Sequence, residues 1–146
     1  MLVKVKKLHE NAVLPRYAKE GDAGLDIVTV DSGTTVDYDK YVEYKTGLAF
    51  EIPAGYVGLL FPRSSISNYT LSLCNCVGVL DSGFRGEVTF RFLCTLSLGG
   101  LIKKEYKAGD KIGQLLIMPY PTITPMWSEN LSDTQRGFGG YGSSGT

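Results

Sequence analysis

Hydrophobic and polar residues alternate with a period of two along most of this chain. Val42, Tyr44, Thr46, Leu48, Phe50 and Ile52 share one face of a stretch that ends at the turn Pro53-Ala54-Gly55. Val88, Phe90, Phe92, Cys94 and Leu96 repeat the beat against Glu87, Thr89, Arg91 and Leu93. That period belongs to a strand with one buried face. Shorter runs at 2–8, 25–30, 56–61, 71–79 and 112–118 predict further strands. Asp31-Ser32-Gly33, residues 97–100 and Gly109-Asp110 supply turns between them. No window of about a dozen residues carries a 3.6-residue repeat, although a single helical turn fits 64–68. The pattern predicts an all-β chain of short strands, closed as a barrel or stacked as a sandwich.

The tail breaks the pattern. Residues 119–135 read as a linker, and 136–146, RGFGGYGSSGT, hold five Gly and two Ser. Such a segment cannot pack a core, yet it carries Arg136, Phe138 and Tyr141, which a spacer would not need. With so much entropy to lose and little apolar surface to bury, this arm is expected to be disordered until a ligand orders it.

At 146 residues the chain suits one domain. Fifteen basic residues balance fifteen acidic ones, interspersed, which argues against a duplex-binding surface. A few arginines could still hold a small anion. The first residues lack the apolar core of a signal peptide, and no run approaches membrane-spanning length; a cytoplasmic location, or a host's cytoplasm, is expected. Cys74, Cys76 and Cys94 are odd in number and lack framework spacing, so they read as buried, reduced thiols. A C-x-C pair with one His and one further Cys is a poor start for a zinc site.

Five stretches carry polar residues that such a scaffold does not require. Pro62-Arg63-Ser64-Ser65 puts a guanidinium beside two hydroxyls after an apolar strand, a cradle for phosphate oxygens; the same residues also make an ordinary surface turn. In NCVGVLDSGFRGEV, residues 75–88, Asn75 sits among apolar neighbours, Asp81 follows Gly78-Val79-Leu80, and Gly83 and Gly86 flank Phe84. A hairpin of this kind could read a flat heterocycle with backbone groups and the Asn75 amide, or it could simply turn the chain. Gln114 lies between apolar residues of GDKIGQLLI. Asp26 lies in an apolar run after Gly24, where a buried carboxylate would need partners. The arm could wrap a phosphate with glycine N–H groups and close an arginine over it.

Taken in this order, the five stretches resemble the five motifs of the trimeric deoxyuridine triphosphatase (dUTPase) family, over residues 22–145. The resemblance implies a β jelly-roll domain at 1–135 with a flexible arm at 136–146. It also implies homotrimers with active sites shared between subunits, and hydrolysis of dUTP to dUMP and pyrophosphate with Mg²⁺ carried on the triphosphate. By the same likeness Asp81 activates the attacking water. Asn75, Gly78, Val79 and Leu80 hold uracil, and Phe84 packs under the deoxyribose, where the family most often has Tyr. Arg63, Ser64, Ser65 and Gln114 bind phosphates, and Asp26 reaches the metal through water. Arg136 grips the γ-phosphate, Tyr141 stacks on the base where Phe is usual, and Gly142, Ser143 and Ser144 complete the arm, Ser144 where Thr is usual. Lys111 replaces a frequent Arg at a position taken as structural. The related deoxycytidine triphosphate deaminases need a glutamate where Arg91 stands and an arginine near Asn68, which speaks against deamination. A nucleotide sensor on the same scaffold is a third reading, against which Asp81 and Arg136 count. His9 is expected in the first strand with a structural role. Trp127 is expected to anchor the linker on a neighbouring subunit, and 103–105 to form a solvated hairpin edge.

Overall fold

The computed structural model describes residues 1–36, 41–95 and 105–140. Among the described residues the chain is all β, apart from one 3₁₀ turn at Ser64–Asn68. Its strands are β1 (Lys4–Lys7), β2 (Leu25–Val28), β3 (Thr34–Val36), β4 (Tyr41–Lys45), β5 (Leu48–Glu51), β6 (Tyr56–Phe61), β7 (Leu71–Leu73), β8 (Gly78–Leu80), β9 (Thr89–Cys94) and β10 (Lys111–Pro119). One sheet runs β2-β10-β6-β8 and the other β3-β4-β9-β7, with β1 and β5 paired as a ribbon. The pairings are antiparallel throughout. Two such sheets over one core make a jelly-roll-like fold.

The period-two faces predicted from the sequence are the ones that meet. Ile27, Leu60, Leu80, Ile112 and Leu115 from the first sheet pack against Val42, Tyr44, Leu71, Phe90 and Phe92 from the second. Edge-to-face contacts of Tyr44 with Phe92 and Tyr106 knit the aromatic part of the core, and Tyr69 stacks on Tyr106 at 4.2 Å between centroids. Burial pushes the Tyr44 and Tyr106 phenols up to about 12, because a phenolate there would lose its water.

Two long predicted strands are broken where the chain changes partners. The run over 42–52 divides at Thr46-Gly47: β4 belongs to the second sheet and β5 to the ribbon. The buried Thr46 hydroxyl donates to the Val88 carbonyl at 2.6 Å, and Gly47 adopts φ of 65° with no room for a Cβ beside His9 and Ala12. The run over 71–79 divides too, since β7 pairs with β9 whereas β8 pairs with β6. Cys76, at φ of 58°, makes the turn that carries the chain from one sheet to the other. β3, a three-residue edge strand, was too short to register in the pattern.

Two smaller expectations are corrected. Cys74 and Cys76 are exposed and Cys94 is half-buried, because the strand break lifts the C-x-C pair into a turn. His9 lies in the bend after β1, where its Nδ1 accepts from the Asn11 N–H at 3.1 Å. Trp127, expected to anchor the linker on a neighbouring subunit, is fully exposed on the single chain. Residues 103 and 104 of the expected solvated edge, and Leu96, lie outside the described residues.

Candidate active site

Strand order brings three of the five polar stretches together. β10 lies between β2 and β6, and Gln114 stands opposite both Asp26 and Phe61. The Asp26 side chain is only 11% exposed, and both its oxygens are engaged. Oδ1 takes Arg63 Nε at 3.1 Å and Oδ2 takes Lys111 Nζ at 2.6 Å. These are the partners that a carboxylate in an apolar run requires. Gln114 Nε2 reaches the Pro62 carbonyl at 3.4 Å, and Gly24 leaves it space: a Cβ there would lie 2.5 Å from Gln114 Oε1. Ser64 and Ser65 open the 3₁₀ turn directly after Arg63, with the Ile66 N–H bonded to the Arg63 carbonyl at 2.9 Å. Two cations face one carboxylate, so this end of the sheet keeps a surplus positive charge beside two hydroxyls. That is a setting for an anion with several oxygens.

The remaining polar residues sit elsewhere. The turn between β7 and β8 borders a pocket of about 280 Å³, with Asn75 and Gly78 on its wall beside Leu60, Leu73 and Phe90. A Cβ on Gly78 would approach Leu60 Cβ to 3.0 Å, so a side chain there would require Leu60 to give way by a few tenths of an ångström. From there β8 leads directly to Asp81. The Phe84 N–H donates to the Asp81 carbonyl at 3.0 Å, closing a tight turn. Arg85 staples it by donating to the Ser82 and Phe84 carbonyls at 2.7 and 2.8 Å. The half-exposed Phe84 ring lies over Gly86, where a Cβ would come within 2.7 Å of it. The Asp81 side chain points into an exposed setting at this tip.

The Asn75 pocket borders Leu60 and the facing Gly78, near the Arg63 end of β6, whereas Asp81 lies beyond the opposite end of the β6–β8 pairing. Leu80 pairs with Gly58 near the start of that strand, while Arg63 follows its last residue. Along an extended chain, Asp81 and Arg63 are therefore separated by roughly 15–20 Å. One chain does not bring them together. Arg136 is at neither end: its Nε donates to the Gly139 carbonyl at 3.0 Å within its own exposed turn. Tyr141, Gly142, Ser143 and Ser144 lie outside the described residues.

Two further residues weighed in the sequence form ion pairs. Lys111, taken as structural, holds the carboxylate that also holds Arg63; nothing in the strand's hydrophobic beat signals this. Arg91 pairs across the strands with Glu43, Nε to Oε2 at 2.5 Å, and lies over the Tyr41 ring. Among the described residues, no group of three or more His, Cys, Asp or Glu side chains converges as a metal cage would require.

Comparison with known proteins shows the family. The dUTPase family profile matches residues 10–145. Deoxyuridine 5'-triphosphate nucleotidohydrolase of Clostridium kluyveri is 36% identical over 143 residues, covering 97% of this chain and 96% of that protein. Its counterpart in Picosynechococcus is 34% identical over 147 residues, covering all of both. Among solved structures, the Staphylococcus bacteriophage 80alpha dUTPase with dUpNHpp superposes with a TM-score of 0.84 at 28% identity, covering 99% of each chain. A dUTPase variant from phage phi11 of S. aureus, described with a structural Mg(II) ion, has a TM-score of 0.75 at 28% identity, covering 91% of this chain and 100% of that one. Fold, motif order and full-length similarity agree: the chain belongs to the dUTPase family.

Proposed function

We propose that this protein hydrolyses dUTP to dUMP and pyrophosphate at sites assembled from several copies of the chain, three per molecule. The observation that carries this reading is the separation of one chain's Asp81 from its Arg63 group along β6. A phosphate-binding group follows the end of β6, and the exposed Asp81 carboxylate lies toward its start, three residues beyond the Gly78 wall of the base pocket. A neighbouring copy that sets its Asp81 tip against the Arg63 end of this one completes the site.

Uracil enters the pocket beside Asn75, where the amide and the backbone of 77–80 match its donors and acceptors. Cytosine reverses the pattern at two ring positions and leaves buried groups unpaired, a mismatch that can cost roughly 10⁴–10⁵-fold. Gly78 to Asp81 is three residues of extended chain, about 10 Å, the span of a nucleoside. The sugar packs on Phe84, which leaves no space for a 2'-hydroxyl. Asp81 then takes a proton from a water whose oxygen bonds to the α-phosphorus. The bond to the bridging oxygen breaks and pyrophosphate leaves. Arg63, Ser64, Ser65 and Gln114 bind the phosphate oxygens. Arg136 from an arm closes on the γ-phosphate, while Tyr141 stacks on the base and Gly142, Ser143 and Ser144 wrap the chain end.

Mg²⁺ suits this donor set as a companion of the triphosphate, because Asp26 is a lone carboxylate whose free lone pairs can accept from metal-bound waters. When bound, the ion neutralises phosphate charge. The products imply a role in keeping uracil out of DNA and in supplying dUMP for thymidylate synthesis. The test is pyrophosphate release from dUTP, dCTP, dTTP and UTP in separate reactions with Mg²⁺. Release from dUTP alone is expected. Conversion of dCTP to a uracil product would instead make the protein a deaminase.

A further inference from the structure

We propose that Lys111 is a positioning residue of the phosphate site, which it serves by fixing Asp26 and, through it, Arg63. The inference rests on the proposed phosphate role of Arg63. It starts from an irregularity in β10. Lys111 stands opposite Val28, Gly113 opposite Ile27, and Gln114 opposite Asp26. Between Lys111 and Gly113 two steps of β10 match a single step of β2, so Ile112 is an inserted residue, a β-bulge.

The bulge decides where Lys111 points. In a regular strand, residues three apart face opposite sides, and Lys111 would be turned away from Gln114. The extra residue returns it to the face shared by Gln114, Asp26 and Val28. Ile112 and Gly113 both take the core side. Ile112 is fully buried, and a Cβ on Gly113 would strike the Phe90 ring at 2.3 Å. Core packing on Phe90 thus locks the bulge, and the locked bulge aims Lys111.

Its target is Asp26 Oδ2 at 2.6 Å, in a side chain 11% exposed. With Oδ2 held, Oδ1 is presented to Arg63 Nε at 3.1 Å. A guanidinium has five N–H donors, and engagement of Nε leaves the four terminal ones for phosphate oxygens. Without Lys111 the carboxylate can rotate and draw those terminal donors to itself. Arg63 would then keep its charge and lose its aim. Lys111 thereby acts on phosphate binding without having to touch phosphate.

The test compares Lys111→Met and Lys111→Arg with the unaltered full chain, using dUTP turnover, inorganic pyrophosphate binding and inhibition by deoxyuridine, which has no phosphate. For Lys111→Met, the KM for dUTP and the Kd for pyrophosphate are expected to rise roughly tenfold, the size of one charge-assisted contact. Deoxyuridine inhibition should stay as it was. Lys111→Arg should restore triphosphate affinity. In an Arg63→Ala background, Lys111→Met should add nothing, because the effect runs through Arg63. Unchanged pyrophosphate affinity in Lys111→Met would overturn the proposal, as would a fully additive loss beside Arg63→Ala, which would mean direct phosphate contact. Lys111→Gln takes the place of the Met variant if that one does not fold. Failure of the unaltered protein to cleave dUTP would count against the hydrolase reading alone, since the pyrophosphate arm still judges Lys111.

Discussion

Asp81 and Asn75 stand out in the sequence for the same physical reason: each is a polar residue in an apolar run that needs no polarity to fold. The structure puts them on either side of β8, Asn75 at a pocket wall and Asp81 at an exposed tip. The expected hairpin does not form, because β8 pairs with β6 while β7 and β9 lie in the other sheet. Asp81→Asn keeps the size and removes the proton acceptor, so kcat is expected to fall by roughly 10²–10⁴-fold with little change in KM, measured by pyrophosphate release. Asn75→Ala should act on selectivity: the kcat/KM ratio of dUTP to dCTP should fall, and a ratio left intact would remove Asn75 from base reading. Asp26 was legible as a carboxylate in want of partners, and Arg63 is one of them. Lys111 was not legible, because its direction depends on an inserted residue that no periodicity reveals.

At the scale of strands, the buried faces could be read from the sequence, but the points where strands change sheets could not. The beat over 42–52 runs unbroken through Thr46, since that side chain is buried like its neighbours and satisfies its hydroxyl on the Val88 carbonyl. The beat over 71–79 hides a turn that only the positive φ of Cys76 exposes. Gly113 shows how tightly the sheets are packed across this core. Gly113→Ala should destabilise the protein by about 1–3 kcal/mol, the range for overpacking, in a denaturant titration. It should also weaken pyrophosphate binding, because the bulge that aims Lys111 must shift. Tyr44 and Tyr106, with phenols raised from 10 to about 12 by burial, give the core an alkaline limit. The folded state holds these protons more tightly than the unfolded chain. Their contribution is therefore complete below pH 10 and is lost as pH rises from 10 towards 12. Urea melts at pH 9 and pH 11 should differ, and less so for Tyr106→Phe.

For the whole molecule, the segment after β10 matters most. Ile123, Met126, Trp127, Leu131 and Phe138 are almost wholly exposed, far more apolar surface than a linker on its own subunit would leave uncovered. That exposure fits a segment that leaves its own fold for another copy, as the family resemblance implied. Removal of residues 136–146 should leave assembly and melting temperature nearly unchanged and sharply lower kcat/KM for dUTP; equal activity would contradict a closing arm. The sharing of sites is the claim on which the rest depends, and Asp81→Asn with Arg63→Ala tests it most directly. Each variant is expected to be close to inactive alone. If a site draws Arg63 from one chain and Asp81 from another, random mixing by co-expression leaves about a quarter of sites with both residues intact, and activity near that fraction of the unaltered protein should return. A co-expressed mixture no more active than its two components would show that each chain supplies both residues to its own site, and the shared-site account would fail.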